Sequence, residues 1–230
     1  MRTAQPPHAA ESNARGPRQA VYVHGFASSA RSAKATFFGE RLRAAGVAFH
    51  CPDLNQPAFE TLTVSRMIHD VEALLDGLPA GPTTLVGSSL GGLVAWHVAA
   101  RRPAVENLVL LAPALDVASA LSAALGSTLV SQWQRMGTLP VFHFGDGRLR
   151  DVHYGLLEDG AQYDPAQVRV NQPVLAFQGR RDVVVPAAGV ERFASTRHNI
   201  RLELLDDDHQ LIHSLGAIWA STRIFLGLSG

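Results

Sequence analysis

The stretch from Thr83 to Arg101, TTLVGSSLGGLVAWHVAAR, predicts a buried strand, a sharp turn and a helix in direct succession. Residues 84–86 are β-branched or aliphatic, and the apolar residues after the turn recur at helical spacing. Gly87, Ser89 and Gly91 form a Gly-x-Ser-x-Gly motif, whose glycines leave room for a serine in strained backbone between strand and helix. The motif therefore predicts a nucleophilic Ser89 at the carboxyl end of a parallel strand.

The neighbouring serine does not fit the same pattern. Ser88 has Val86 and Leu90 at the positions where the motif requires glycine, so Ser88 is expected to line the substrate site rather than to attack the substrate. The helix that begins at Leu90 directs free N–H groups and the positive end of its dipole toward Ser89, which favours an oxyanion there. The alternative interpretation is an ordinary Gly/Ser turn in a parallel-sheet protein.

Composition limits the classes of protein that this chain can represent. With 230 residues and 47% hydrophobic content, we expect one sizeable core. The formal net charge is zero, which predicts a small-molecule substrate and neither a nucleic acid nor a membrane as partner. Cys51 is the only cysteine, so no intrachain disulfide can form.

The start of the chain predicts little regular structure. Residues 1–18 are polar and rich in proline and lack the apolar segment of a signal peptide, so we expect a disordered leader. No apolar run reaches about 18 residues, which predicts no transmembrane helix and a cytoplasmic location. Residues 19–230 are then expected to form a single domain, and the oligomeric state stays open.

Strands and helices are predicted to alternate along most of this domain. Predicted strands cover residues 19–23, 47–51, 84–86, 107–112, 173–178 and 200–205. Predicted helices cover residues 33–45, 63–78, 90–101, 186–195 and 214–228. This alternation predicts an α/β fold with a mostly parallel central sheet and helices on both faces.

The alternation lapses between residues 117 and 172, which we interpret as a small cap insertion before the next core strand. Residues 118–136 predict a helix, residues 139–154 a hairpin around Gly145-Asp146-Gly147, and residues 156–168 are mixed. The predicted helix has an apolar face that we expect to pack on the core and to wall an acyl pocket, formed by Leu121, Leu125, Leu129, Val130, Trp133 and Met136.

A nucleophilic serine needs a histidine base and an acid that orients it. Asp182 follows the strand at 173–178, where catalytic groups of parallel sheets collect, and Asp116 is a rival after the preceding strand. His209 follows the last strand, whereas His198 precedes it and His213 is predicted to lie within the final helix. We therefore predict Ser89, Asp182 and His209 as the catalytic residues.

Two backbone N–H groups should stabilise the charge that develops on the substrate. Leu90 supplies one by its position, and Phe26, in the turn after the first strand, is predicted to supply the other. Gly25 lets the backbone approach the substrate, and His24 is expected to hold that turn by hydrogen bonds rather than to transfer protons. The contiguous carboxylates at 206–208 predict a solvated turn, and we expect neither a metal site nor a cofactor.

The combination resembles the α/β-hydrolase superfamily of serine hydrolases. Residues 24–34, HGFASSARSAK, and residues 87–92, GSSLGG, resemble the compact bacterial esterases of the YqiA type. The first segment is also similar to a related group of acyl-protein and acyl-glucuronide thioesterases and esterases. The resemblance implies ester hydrolysis through an acyl-enzyme, with thioester hydrolysis or an inactive binding protein as alternatives. Arg31 and Lys34 could attract an anionic substrate group, although a solvated helix face is the default interpretation.

Overall fold

The sheet that carries Ser89 is parallel, as the alternation of elements predicts. The computed structural model describes residues 16–228. Its strands are β1 (Gln19–Val23), β2 (Ala48–His50), β3 (Thr83–Ser88), β4 (Val105–Leu111), β5 (Thr138–His143), β6 (Arg148–His153), β7 (Val174–Gly179) and β8 (Ile200–Leu205). Its α-helices are α1 (Ala33–Ala44), α2 (Val64–Gly77), α3 (Leu90–Arg101), α4 (Val117–Leu125), α5 (Ser127–Met136), α6 (Gly155–Gly160), α7 (Ala187–Ser195) and α8 (Leu215–Phe225).

Within the described residues, six strands pair in the order β2-β1-β3-β4-β7-β8, and every pairing in this sheet is parallel. β1, β3 and β7 are buried along their whole length, because helices cover both faces of the sheet. Side chains alternate between the two faces. Val21 and Leu85 belong to the core cluster beneath α2 and α3, whereas Tyr22 and Val86 belong to the cluster beneath α1 and α8. The expected α/β-hydrolase architecture is therefore confirmed.

The segment between β4 and β7 corresponds to the predicted cap insertion. It contains α4, α5, the β5–β6 hairpin and α6, and the hairpin forms a separate antiparallel pair. The predicted single helix over residues 118–136 is wrong, because Gly126 adopts a φ of +77° and separates α4 from α5. A β-carbon disfavours this conformation, and glycine has none. Gly126 therefore ends α4, and α5 begins directly after it.

Packing holds the hairpin against α5 and over the end of the sheet. Trp133 is buried and donates its indole N–H to the Val152 carbonyl at 2.9 Å. The Phe144 N–H donates to the Ala27 carbonyl at 2.8 Å, which ties the hairpin turn to the loop after β1. Met136 is 70% exposed, so its predicted place on the packed face is wrong, and that face ends at Trp133.

Two further expectations concern the ends of elements. The predicted leader, residues 1–18, lies outside the described residues except for 16–18, which have no regular structure. His213 was predicted inside the final helix, but α8 begins at Leu215 and His213 lies in the preceding turn.

Candidate active site

Ser89 lies at the sharp turn between β3 and α3, with a φ of 53° and a ψ of −120°. A non-glycine residue in this region is strained, and such strain is typical of functional sites. A β-carbon at Gly87 would come 2.7 Å from the Gly92 Cα, and one at Gly91 would collide with the Val23 carbonyl. The glycines of the motif are therefore required by close backbone contacts on both sides of Ser89.

Three side chains from separate loops meet at this turn. The Nε2 of His209 lies 3.0 Å from the Ser89 Oγ, and the Nδ1 of His209 lies 2.8 Å from the Asp182 Oδ2. Ser89 follows β3, Asp182 follows β7 and His209 follows β8, so all three lie at the carboxyl end of the sheet. The structure thus brings together the serine, acid and base that the sequence predicted.

Asp182 is held by a complete set of donors. Its Oδ1 accepts hydrogen bonds from the N–H groups of Val184 and Val185, and its Oδ2 accepts from the Gln178 side chain at 2.8 Å. Burial acts to raise the pKa of Asp182, but the hydrogen bonds from His209, Val185 and Gln178 outweigh it and hold the pKa below its ordinary value. The carboxylate is therefore ionised and accepts a hydrogen bond from the N–H group of the imidazole.

Asp116 has a different role. Its Oδ1 accepts from the Ser119 N–H at 2.9 Å and its Oδ2 accepts from the Ser119 hydroxyl at 2.6 Å, which makes it the N-cap of α4. Within the described residues it forms no hydrogen bond or ion pair with His209, whose partners are Asp182 and Ser89. The structure does not bring the rival acid to the site.

His24 also contributes to positioning. Its Nε2 accepts a hydrogen bond from the Leu54 N–H, and its Nδ1 donates to the Gly25 carbonyl, each at 3.0 Å. The ring is 1% exposed. These bonds hold the turn after β1, as predicted.

The predicted oxyanion and substrate residues gather around the nucleophile. Gly25, Phe26, Ser88 and Leu90 all line the same cavity as Ser89. A β-carbon at Gly25 would lie 3.1 Å from the Ser89 Cβ, so a side chain there would crowd the nucleophile. Leu90 is the first residue of α3, where a backbone N–H has no acceptor within the helix.

The acidic turn before His209 shapes the loop that carries it. Asp207 is buried and accepts from the N–H groups of Asp208 and Ser214 at 2.8 and 2.9 Å. Asp208 accepts from the Gln210 N–H at 2.8 Å. Within residues 16–228, no group of three or more His, Cys, Asp or Glu side chains is arranged to hold a metal ion.

The cavity in front of Ser89 has a volume of about 820 Å³. Sequence reasoning anticipated Leu121 among its lining residues but missed Phe142 and Phe144 of the hairpin, whose place depends on how the cap insertion folds back. A second cavity of about 690 Å³ lies beyond α4, and Ala114, Val117 and Ala120 line both.

Lys34 differs most from its expectation. A solvated helix face was the default interpretation, yet Lys34 is 8% exposed and lines the cavity, whereas Arg31 at the same wall is exposed. Tyr22 also lines this wall and was not anticipated. Only the alternation of side chains along β1 could have indicated that Tyr22 shares a face of the sheet with Ser88.

No helix in the part of the chain that the structure describes combines the length and apolar character needed to cross a bilayer.

The sequence is similar to one protein family and to several hydrolases. Residues 19–222 match the sequence model described as "Uncharacterised protein family (UPF0227)". The chain is 26% identical over 175 residues to the bovine mitochondrial palmitoyl-protein thioesterase ABHD10, an alignment that covers 72% of this chain and 57% of the relative. It is 34% identical over 112 residues to the lipase LipV of Mycobacterium tuberculosis, covering 44% of this chain and 39% of that protein. The chain thus spans little more than half the length of the bovine and mouse ABHD10 proteins.

Solved structures share the fold. The mouse α/β-hydrolase domain-containing protein 10 superimposes with a TM-score of 0.76 at 24% identity, covering 94% of this chain and 92% of that chain. Est1E of Butyrivibrio proteoclasticus, solved with ferulic acid bound, superimposes with a TM-score of 0.80 at 21% identity, covering 94% and 90%.

Proposed function

We propose, from the premise that this chain belongs to the UPF0227 family and to the α/β-hydrolase superfamily, that it is a serine hydrolase acting on carboxylic esters of small to medium acyl groups. The observation that carries this proposal is the continuous hydrogen-bonded series from Asp182 through His209 to Ser89 at the wall of a large cavity. No cofactor or metal ion is required for this chemistry.

In the proposed reaction, the Nε2 of His209 takes the hydroxyl proton while the Ser89 Oγ attacks the ester carbonyl carbon. Asp182 holds the Nδ1 proton of His209 in a hydrogen bond, which orients the ring and stabilises its protonated form. The backbone N–H groups of Phe26 and Leu90 stabilise the negatively charged carbonyl oxygen. The bond to the leaving oxygen then breaks, and that oxygen takes the proton from His209.

The acyl-enzyme is hydrolysed by the same groups in reverse. His209 takes a proton from water, the resulting hydroxide attacks the acyl carbon, and Ser89 leaves with the proton restored. Gly25 and Ser88 line the space next to the reacting carbonyl. A side chain at Gly25 would crowd Ser89 itself as well as the space next to the reacting carbonyl.

Thioester hydrolysis is the second candidate, and the names of the ABHD10 relatives favour it. A thiolate is a better leaving group than an alkoxide and needs less help from the protonated His209. A catalytically inactive binding protein is the remaining alternative, and the contacts between Asp182, His209 and Ser89 count against it.

A substrate panel tests the proposal. Turnover of 4-nitrophenyl esters and acyl-coenzyme A thioesters, matched from two to sixteen carbons, would rank the two leaving groups and size the pocket. Labelling by a fluorophosphonate probe would report an activated serine independently of substrate choice. Hydrolysis of esters at or above the rate of thioesters, with probe labelling, is the expected result. Absence of both labelling and turnover would contradict the proposal.

A further inference from the structure

The cavity in front of Ser89 is lined by two unlike sets of side chains. The cap insertion and the turn after β4 contribute apolar groups, namely Ala114, Val117, Ala120, Leu121 and Phe142. β1, the loop after it and the first turn of α1 contribute polar and cationic groups, namely Tyr22, Ser29, Arg31, Ser32 and Lys34. We refer to this second set as the cationic wall.

Lys34 is the central residue of the cationic wall. Its side chain is more than nine-tenths buried, yet its ammonium group forms no hydrogen bond and no ion pair within 4.0 Å with any residue in the described range. An ammonium group that is largely removed from water without a partner is costly, so such groups normally occur where a partner binds.

Carboxylates near Lys34 act only through their longer-range charge. Burial lowers the pKa of Lys34 to about 8, and the charges of Asp182, Asp208 and Asp207 offset part of that effect. Each of these carboxylates accepts hydrogen bonds elsewhere, from His209 or from loop N–H groups. At neutral pH the wall therefore presents a predominantly charged ammonium with no direct counter-ion.

Further donors surround the same space. The Tyr22 hydroxyl is fully buried and has no hydrogen-bond partner, although the hydroxyls of Ser88 and Ser32 lie near it. Ser32 caps α1 by accepting from the Ala35 N–H, so the O–H of Ser32 is free to donate to a ligand. No acidic residue occupies the first turn of this twelve-residue helix, whose dipole adds positive potential.

We infer that the cationic wall is an anion subsite, and that the substrates of this hydrolase are esters or thioesters with one apolar part and a carboxylate or phosphate group that Lys34 binds. Arg31 adds a second cation at the exposed rim, and Ser32 supplies a neutral donor. This inference rests on the proposed hydrolase function and specifies the substrate class. The competing explanation is that Lys34 serves only to balance the charge of the acidic turn that carries His209.

Matched pairs of substrates separate these explanations. In one pair the carboxylate is on the leaving group, as 3-butyryloxybenzoate and its methyl ester. In the other it is on the acyl chain, as mono-4-nitrophenyl adipate and its methyl ester. The measured quantity is the ratio of kcat/KM for the anionic member to kcat/KM for the neutral member, for the wild type, Lys34→Met and Arg41→Met. Arg41 lies two turns further along α1 and outside the cavity lining, so Arg41→Met controls for loss of a cation from the same helix.

We expect the wild type to prefer the anionic member of at least one pair, and Lys34→Met to lower that ratio by about 10- to 100-fold, mainly through KM. Arg41→Met should leave the ratio at its wild-type value. Inorganic phosphate should inhibit hydrolysis of the neutral ester competitively in the wild type.

Several results would overturn the inference. Equal hydrolysis of both members of each pair by the wild type would refute the anion subsite and leave the proposed function intact. Equal loss of activity on both members in Lys34→Met would identify a purely electrostatic role in the acidic turn. If Lys34→Met does not fold, the wild type alone tests the subsite. A wild type that neither prefers an anionic ester nor is inhibited by phosphate refutes it. Hydrolysis of none of the four esters would contradict the proposed function itself, and the subsite with it.

Discussion

The loops that present Asp182 and His209 and the cap insertion above them are built in contrasting ways. Asp182 has donors on both carboxylate oxygens, and the turn before His209 is held by the carboxylates of Asp207 and Asp208. The hairpin of the cap insertion instead leaves apolar side chains in solvent, with Phe142 48% and Phe144 73% exposed. The difference indicates that hydrogen bonds fix the groups predicted to react, whereas the hairpin is anchored by its buried side and by the Arg150–Glu60 ion pair and leaves its outer apolar side chains in solvent.

The largest expected effect tests the reacting loops directly. Ser89→Ala should abolish fluorophosphonate labelling and lower kcat by about 10⁴- to 10⁶-fold, because no nucleophile remains. Ser88→Ala is the matched control on the adjacent residue and should retain labelling and most of the activity. The measurements are probe labelling and kcat on a 4-nitrophenyl ester. Loss of activity in Ser88→Ala alone would show that the assigned nucleophile is wrong.

The next effect compares two aspartates that follow adjacent strands. Asp182→Asn should lower kcat by about 10⁴-fold while the protein stays folded, because an amide no longer favours the imidazole proton on Nδ1. Asp116→Asn should change kcat little, since its hydrogen bonds to Ser119 serve α4. Circular dichroism checks folding in parallel. A larger loss of kcat in Asp116→Asn than in Asp182→Asn would place the orienting acid after β4 instead of after β7.

The cap insertion should give smaller and substrate-dependent effects. Phe142→Ala should lower kcat/KM for a medium-length acyl ester by about 10-fold, equivalent to about 1.4 kcal/mol, because apolar contact area in the cavity is lost. The acetate ester should respond less. Leu149→Ala is the matched control, since Leu149 pairs with Phe142 across the hairpin but does not line the cavity. Equal effects of both variants on all acyl lengths would point to general loosening of the hairpin.

The smallest effect concerns stability of the acidic turn. Burial acts to raise the pKa of Asp207, but the hydrogen bonds from Asp208 and Ser214 hold it below its ordinary value. Because the pKa of Asp207 is lower in the folded than in the unfolded state, its carboxylate stabilises the folded protein when the pH is above the unfolded-state pKa, near 3.8. This stabilisation is lost as the pH falls through the folded-state pKa. Asp207→Asn should therefore cost about 1 kcal/mol at pH 7 and flatten the fall of Tm below pH 4.

Asp206→Asn provides the control for this turn. Asp206 is exposed and pairs with the exposed Arg181, so its loss should change Tm little at any pH. Thermal unfolding followed between pH 3 and pH 7 distinguishes the two variants. Identical pH dependence in Asp207→Asn and the wild type would mean that the buried carboxylate does not stabilise the turn.

Local patterns in the sequence determined most of the core fold. The strand at 200–205 coincides with β8, and the predicted turn at Gly145-Asp146-Gly147 lies between β5 and β6. The Gly-x-Ser-x-Gly motif correctly predicted the strand, turn and helix around Ser89. These features depend on neighbours within a few residues, through backbone sterics and side-chain periodicity, so they can be recognised in the chain itself. The catalytic roles assigned to Ser89, Asp182 and His209 stay predictions that the variants above test.

Tertiary structure decided what depends on distant parts of the chain. The charge of Lys34 favoured a solvated position, although its spacing of four residues from Phe38 places it on the buried face of α1. Packing of that helix beside the loops after β7 and β8 buries it against the cavity. Asp116 and Asp182 both follow core strands, and only the folded loops show which carboxylate reaches His209. Burial and electrostatic environment are sums over neighbours that are remote in sequence, so no local pattern encodes them. For this reason the sequence predicted the reacting residues and named Arg31 and Lys34 as cations that could attract an anion, whereas the burial of Lys34 at the cavity became visible only in the folded chain.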